Sequence, residues 1–476
     1  MEAVMLNSLV RVDSHHSKLP NPPERVVSRN YPAVPQDDPI ELAGLSRLPD
    51  RATPDLEMSR PTTPAADGDA VEVLPSIFSP QKNKFRLAAC CCMNFLGGLN
   101  DSAAGALIPY METHYDIGYG VVSLIFVGVA LGFITAAPCI AGLEARLGRA
   151  RLFGLSMLLF IAGYIPIVCT APIPVVVISF FLVGFGFAIT VAVANVFLAN
   201  LKEAATALGA VHGSYGIGGT IGPLIATSMA STGHIVWSRY YLITMGITVF
   251  NLFFATWSFW NYEQESHSEA APVDNGQPET RQRKAMLSTF RNRVVLIGAV
   301  FIFAYQGAEV SISGWVISFL ISARNGDPSQ VGYVTSGFWA GITLGRFFLS
   351  PLGSKIGEKR FVYGVVVGSG IFELLVWLVP NIVGNAVAVA IIGLLLGPVW
   401  PAAAVVFTRN LPRKDQSSGL ALISAFGSSG GAVAPFTTGI LAQVVGTFVL
   451  HPIVIGLCAL MVLCWYCIPT PRKRTE

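Results

Sequence analysis

The chain has 476 residues, of which 53% are hydrophobic and only 12% charged, where an ordinary soluble domain carries roughly a quarter charged residues. With 29 Phe and 47 Gly and a mean hydropathy of +0.58, this composition excludes most soluble enzymes and fits a polytopic membrane protein, whose surface faces hydrocarbon and whose glycines let helices approach closely. A net charge of +3 is too small to point to a nucleic-acid partner, so the placement of the charges carries the information.

Residues 1–85 hold 12 of the 28 acids and 12 of the 30 prolines. Pro20, Pro22, Pro23, Pro32, Pro35 and Pro39 recur too closely for helix or sheet, so this segment is expected to be a disordered tail. It has no apolar stretch behind a basic start, and the first span itself is expected to direct insertion. Thr53-Pro54, Thr63-Pro64 and Ser79-Pro80 fit proline-directed phosphorylation, although chance pairs in a solvated tail are the plainer reading.

From Arg86 onward, apolar runs long enough for a hydrocarbon core of roughly 30 Å alternate with short polar breaks. They predict twelve transmembrane helices, at 86–110, 121–144, 152–170, 174–200, 206–231, 239–260, 294–321, 331–353, 361–379, 385–408, 416–445 and 450–468. The polar stretch 262–292 divides them into an N-terminal half, 86–261, and a C-terminal half, 293–470, followed by a short tail, 471–476. If the N-terminus is cytoplasmic, 21 membrane-proximal Lys and Arg fall on the cytoplasmic side, and only Arg239 and Arg324 on the other. This bias predicts that both termini are cytoplasmic. All eight cysteines fall in apolar runs without a metal-ligand pattern and read as packing residues. No P-loop, His-Glu-x-x-His or Gly-x-Ser-x-Gly motif occurs, so neither an enzyme nor ATP-driven pumping is expected, and no cofactor is called for.

Three matches at nearly one offset indicate an internal repeat. The run from His212 to Pro223 answers Ser424 to Pro435; Arg146-Leu147-Gly148-Arg149-Ala150-Arg151 answers Lys355-Ile356-Gly357-Glu358-Lys359-Arg360; and Asp101 answers Glu309. The prediction is an all-α fold of two pseudo-symmetric six-helix bundles.

Three carboxylates lie well inside spans: Asp101, Glu309 and Glu373. Each costs on the order of 2.5–3.5 kcal/mol at mid-bilayer unless it faces protein or water. Asp101, beside Asn100, shares a helical face with Asn94, Gly98 and Gly105, which turns it into the bundle. Desolvation disfavours the charged form of a carboxyl group, which suits proton loading and release. Glu309 lies one turn from Tyr305, close to Gln306 and Ser313, and Trp315 follows; such a mixture of donors, acceptors and aromatic surface suits a sugar-like solute. Glu373 reads rather as structural. His212 opens a Gly-rich face with Tyr215, and reads equally as a proton relay or a packed core histidine. Gly397-Pro398-Val399-Trp400-Pro401 removes two backbone donors and frees carbonyls, which makes Trp400 a candidate platform. Asn195 and Trp339 are weaker candidates of the same kind. Arg346 is expected either to snorkel to the cytoplasmic boundary or to brace an inward gate.

The loop Gly142-Leu143-Glu144-Ala145-Arg146-Leu147-Gly148-Arg149-Ala150-Arg151 resembles the cytoplasmic signature of the major facilitator superfamily, Gly-x-x-x-Asp-Arg-x-Gly-Arg-Arg, with Ala145 at the acidic position and Glu144 next to it. Asn100-Asp101, Pro109-Tyr110-Met111-Glu112, the His212–Pro223 run and Tyr305-Gln306-Gly307-Ala308-Glu309 resemble the fungal, fucose-permease-related branch. The resemblance implies alternating access, with Asp101 and Glu309 coupling proton and solute and with Arg146, Gly148 and Arg149 gating. The expected function is proton-coupled symport of a small polar solute such as a sugar. Export of a fungal metabolite or drug by proton antiport, or non-transporting solute sensing through the tail, stand as alternatives. Expected partners are the lipid bilayer, a small solute and protons, with no nucleic acid, for a monomer in the plasma membrane or, second, the vacuolar membrane.

Overall fold

The computed structural model describes residues 75–263, 292–412 and 416–469, all within one compact unit, Val71–Glu476. Most of the expected tail, most of the central loop and the C-terminal tail lie outside the described residues. No β-strand occurs among the described residues. This follows from the composition: an apolar segment in hydrocarbon must satisfy its own backbone, and the helix does so within one segment.

The first crossing, α1, is Asn83–Tyr115. The second and third, α2 and α3, are two arms of one helical run, Leu124–Val168, turned at Gly148. Then come α4, Ile173–Ala199, α5, Ala204–Thr227, α6, Tyr240–Phe259, and α7, Arg293–Arg324. The eighth, α8, is built of Val334–Leu344, a π-helical turn Gly345–Leu349, and Ser350–Ile356. The remainder are α9, Glu358–Leu378, α10, Ile382–Asn410, α11, Gln416–Val445, and α12, Leu450–Cys467. The break expected in α10 is present: Ile382–Leu396 stops at Gly397-Pro398 and helix resumes over Val399–Asn410. The loop expected at 145–151 is not; there the helix is interrupted only at Gly148, whose φ of 71° is a conformation that residues with a Cβ rarely adopt. The cysteines are not uniformly buried, since Cys139, Cys169 and Cys467 are exposed on the outside of the bundle.

Seven helices among the described residues are long and apolar enough to cross a membrane, one of them the 50-residue run Tyr119–Val168 that Gly148 divides. Joined by the more polar or Gly-rich α1, α5, α8 and α11, they make the twelve crossings. The repeat is written in the backbone. Asp116 and Asn325, the left-handed caps of α1 and α7, stand 209 residues apart, as do the positive-φ glycines Gly148 and Gly357. An added Cβ at Gly218 of α5 would strike the Phe95 carbonyl of α1, and one at Gly430 of α11 the Phe303 carbonyl of α7. The two halves thus repeat one helix-packing plan.

The ends of α1 and α12 at Asn83 and Cys467 mark one side of the bundle, the termini face; the opposite side is the loop face. At the loop face the halves meet closely: Trp315 of α7 packs on Tyr119 at 5.7 Å and on Phe126 of α2 at 6.3 Å between ring centroids, and the Ser228 and Tyr333 hydroxyls lie 3.2 Å apart. The two halves are therefore in side-chain contact at the loop face. Towards the termini face Ala137, Pro138, Cys139, Ala141 and Gly142 of α2 are all exposed.

Candidate functional site

Asp101 stands midway along α1, in a helix whose glycines bring α5 close enough to bond to it. The Tyr215 hydroxyl of α5 donates to Asp101 Oδ2 at 2.9 Å, and the Asn100 amide donates to Asp101 Oδ1 at 3.1 Å. Asn100 is held in turn by the Tyr164 hydroxyl of α3, which donates to its Oδ1 at 3.1 Å. The carboxylate thus receives two donors from fixed side chains, with one of these itself oriented by a third.

The Tyr215 ring carries this group across to the other half. It stacks on Phe187 at 6.1 Å with 8° between planes and meets Trp339 of α8 edge-on at 5.7 Å. Trp339 donates its indole N–H to Ser313 Oγ of α7 at 2.8 Å. Ser313 lies one turn from Glu309, whose Oε1 is 4.0 Å from Nη2 of Arg346. At such a distance two unit charges attract by roughly 4 kcal/mol in a medium of effective dielectric about 20, before desolvation is subtracted. Glu309 is 8% exposed and its Oε2 is buried without a hydrogen-bond partner among the described residues, while the neighbouring Tyr305 hydroxyl lies within reach of both Glu309 and Arg346. Asp101 and Glu309 act on one another electrostatically, as do Tyr215 and Arg346. His212, one turn from Tyr215 towards the termini face, is exposed and within electrostatic reach of Arg346.

The structure therefore brings together Asn100, Asp101, Tyr215, Trp339, Tyr305, Glu309 and Arg346, with His212 at the edge. Arg346 does not snorkel; its π-helical turn and the Glu309 carboxylate keep it inside the bundle. Trp315 is not part of the cluster. It is 1% exposed, donates to the Pro435 carbonyl at 2.8 Å and plugs the loop-face seam. Trp400 and Asn195 are half-buried on α10 and α4 and form no hydrogen bond to the cluster. Tyr164 and Phe187 are members that the sequence did not single out; a Tyr and a Phe in apolar helices look like any other core residue.

At the termini face, Gly148 turns the chain so that the Arg149 amide donates to Glu263 Oε1 at 2.6 Å, while Arg149 Nε donates to Glu144 Oε1 at 2.8 Å. Glu144 thus holds the arginine although Ala145 stands at the acidic position of the motif. Arg146 is exposed beside them. Away from the cluster, Glu373 of α9 and His451 of α12 form a pair at 2.7 Å, with side chains 2% and 1% exposed. His451 also went unnoticed in the sequence, 78 residues from its partner.

Comparison with known proteins agrees with this architecture. "Bypass of stop codon protein 6" of Saccharomyces cerevisiae is 26% identical over 420 residues, covering 83% of this chain and 84% of that protein. A glucose/galactose transporter of Brucella abortus is 23% identical over 396 residues, covering 77% of this chain and 90% of its own. Among solved structures, a D-xylose-proton symporter superposes with a TM-score of 0.66 at 12% identity, covering 82% of this chain and 98% of that one. The nucleoside transporter NupG superposes with a TM-score of 0.64 at 12% identity, covering 81% and 100%. The family model described as Major Facilitator Superfamily matches residues 90–324 and 306–476. With twelve crossings in two repeated halves and this match over most of its length, the chain belongs to the Major Facilitator Superfamily and is a multi-pass membrane transporter.

Proposed function

We propose that the chain is a proton-coupled symporter of a small polar solute of the sugar class. The observation that carries this reading is the pair of inward-facing carboxylates, Asp101 in one half and Glu309 in the other, joined across the seam by Tyr215, Trp339 and Ser313. The relatives described as glucose/galactose transporters and the xylose–proton symporter of the same fold support the substrate class. Protonation of Asp101 weakens its hold on Tyr215, and protonation of Glu309 releases Arg346. Either event alters the seam along which the halves rock, so proton binding and solute binding act on one element. The unpartnered Glu309 Oε2 is the acceptor offered to solute hydroxyls, with the Tyr305 hydroxyl beside it. In this reading 1–85, 262–292 and 471–476 are cytoplasmic, 86–261 and 293–470 form the two halves, the monomer is the working unit, and the plasma membrane is the site of action.

Asp101→Asn tests the coupling. The account expects proton-driven accumulation of the solute in proteoliposomes to be lost while counterflow exchange is partly retained, because exchange needs bound solute but no net proton release. Accumulation at the wild-type level in this variant would remove Asp101 from the mechanism.

A further inference from the structure

Two grooves lie on the outside of the N-terminal half at the termini face, apart from the carboxylate cluster. The larger, about 630 Å³, is walled by Leu252, Phe253, Trp257 and Trp260 of the α6 end, with Lys82 ahead of α1 at its rim. Its neighbour, about 320 Å³, is lined by Arg146, Arg151, Asn261 and Glu263 and shares Trp260 and Asn261 with the first. The combined trough is apolar and aromatic at one end and basic at the other. Phe253 is 69% exposed, Trp257 54% and Trp260 58%, and Arg146 and Arg151 are exposed as well. The trough holds one acid, Glu263, which accepts the Arg149 backbone amide, against Arg146, Arg151 and the rim residue Lys82, so the lining keeps a positive balance.

This arrangement matches one kind of molecule. The termini-face end of a transmembrane helix sits at the level of the lipid head groups, where Trp is favoured because its ring is apolar and its N–H polar. Basic pockets at that level bind acidic head groups, each Lys or Arg contributing about 1 kcal/mol near the surface. A free phosphate would use the basic end only and leave the aromatic wall without an occupant. We propose that the trough binds one anionic glycerophospholipid, its phosphate held by Arg146 and Arg151 at the basic end and an acyl chain laid along Phe253 and Trp257. Because the trough adjoins the Gly148 turn between α2 and α3, a lipid seated there braces the end of the half that has to move, and transport becomes sensitive to the acidic lipid content of that leaflet.

The test uses the purified full-length chain in a neutral detergent. Native mass spectrometry and thermal melting are followed while phosphatidylserine, phosphatidylcholine or inorganic phosphate is added. The expected result is saturable binding of one phosphatidylserine per chain with a rise in melting temperature, and no such effect from the other two. Arg146→Gln and Arg151→Gln are each expected to weaken binding about fivefold, and Lys355→Gln, on the other half, to leave it unchanged. A photoreactive phenylalanine analogue in place of Trp257 should give an adduct of one phospholipid mass. Equal binding of phosphatidylcholine, reproduction of the shift by inorganic phosphate, wild-type affinity in both charge variants, or a cross-link from position 257 to the segment 264–291 would each overturn the proposal.

Discussion

Glu309 keeps one carboxylate oxygen near Arg346 at 4.0 Å and leaves the other without a partner in a site that is 8% exposed. A buried acceptor left unmatched is costly, on the order of 1–3 kcal/mol, and more for a charged group. The cost is offset when a solute hydroxyl donates to it. Glu309→Gln preserves the shape but removes the charge, so the affinity for the solute that the wild type accumulates should fall at least tenfold, about 1.4 kcal/mol, with unchanged elution on size exclusion. Unchanged affinity would reduce Glu309 to a structural role. Asp101 and Glu309 were legible in the sequence because a carboxylate inside an apolar run is expensive and rare. Tyr164 was not, because only the fold shows that its hydroxyl ends at Asn100. The same limit explains Trp315, which looked like a solute platform until its indole N–H proved committed to the Pro435 carbonyl.

At the scale of the element, the turn between α2 and α3 depends on one residue. Gly148 has a φ of 71°, and a Cβ built there would lie 3.1 Å from Glu263 Oε1. With ψ at 167° this is an extended positive-φ conformation that is essentially restricted to glycine, and a side chain there costs on the order of 1–3 kcal/mol. Gly148→Ala is therefore expected to lower the melting temperature by a few degrees and to weaken the Arg149–Glu263 contact; an unaltered melting curve would show that the turn tolerates a side chain. The pair between α9 and α12 behaves differently. Removing one partner of a buried pair typically costs about 3–5 kcal/mol, so Glu373→Ala should markedly destabilise the C-terminal half in thermal melting, and Glu373→Gln, which keeps a hydrogen bond to His451, much less. Loss of proton coupling without loss of stability would instead place this pair in the transport path. Helix number was legible because apolar length repeats, yet α1, α5, α8 and α11 read more weakly than the rest. Asp101, Arg346 and the glycines of α5 and α11 dilute the apolar signal, and Asp101, Arg346 and Tyr215 meet at the seam. The α2–α3 break reads as a loop in the sequence because Arg146, Arg149 and Arg151 look like solvent-exposed chain, whereas a helix turned only at Gly148 carries them at its surface.

For the molecule as a whole, the repeat is the organising fact. Positive-φ positions recur 209 residues apart and the α1–α5 packing recurs in α7–α11, so the seam lies between two similarly built bodies. Trp315, with Tyr119 and Phe126, closes that seam at the loop face, and the charged cluster lies behind it. The sequence shows the two halves through their offset matches, but not which face is closed. That property belongs to the mutual tilt of two bodies, and no local run of residues encodes it. The measurement that tests this account most directly is proton flux into proteoliposomes containing the purified chain, followed with a pH dye while pentoses, hexoses and lipophilic cations are added in turn. The account predicts external alkalinisation on adding a sugar, abolished in Asp101→Asn. Proton movement only with a lipophilic cation, or sugar-driven alkalinisation that persists in Asp101→Asn, would contradict it.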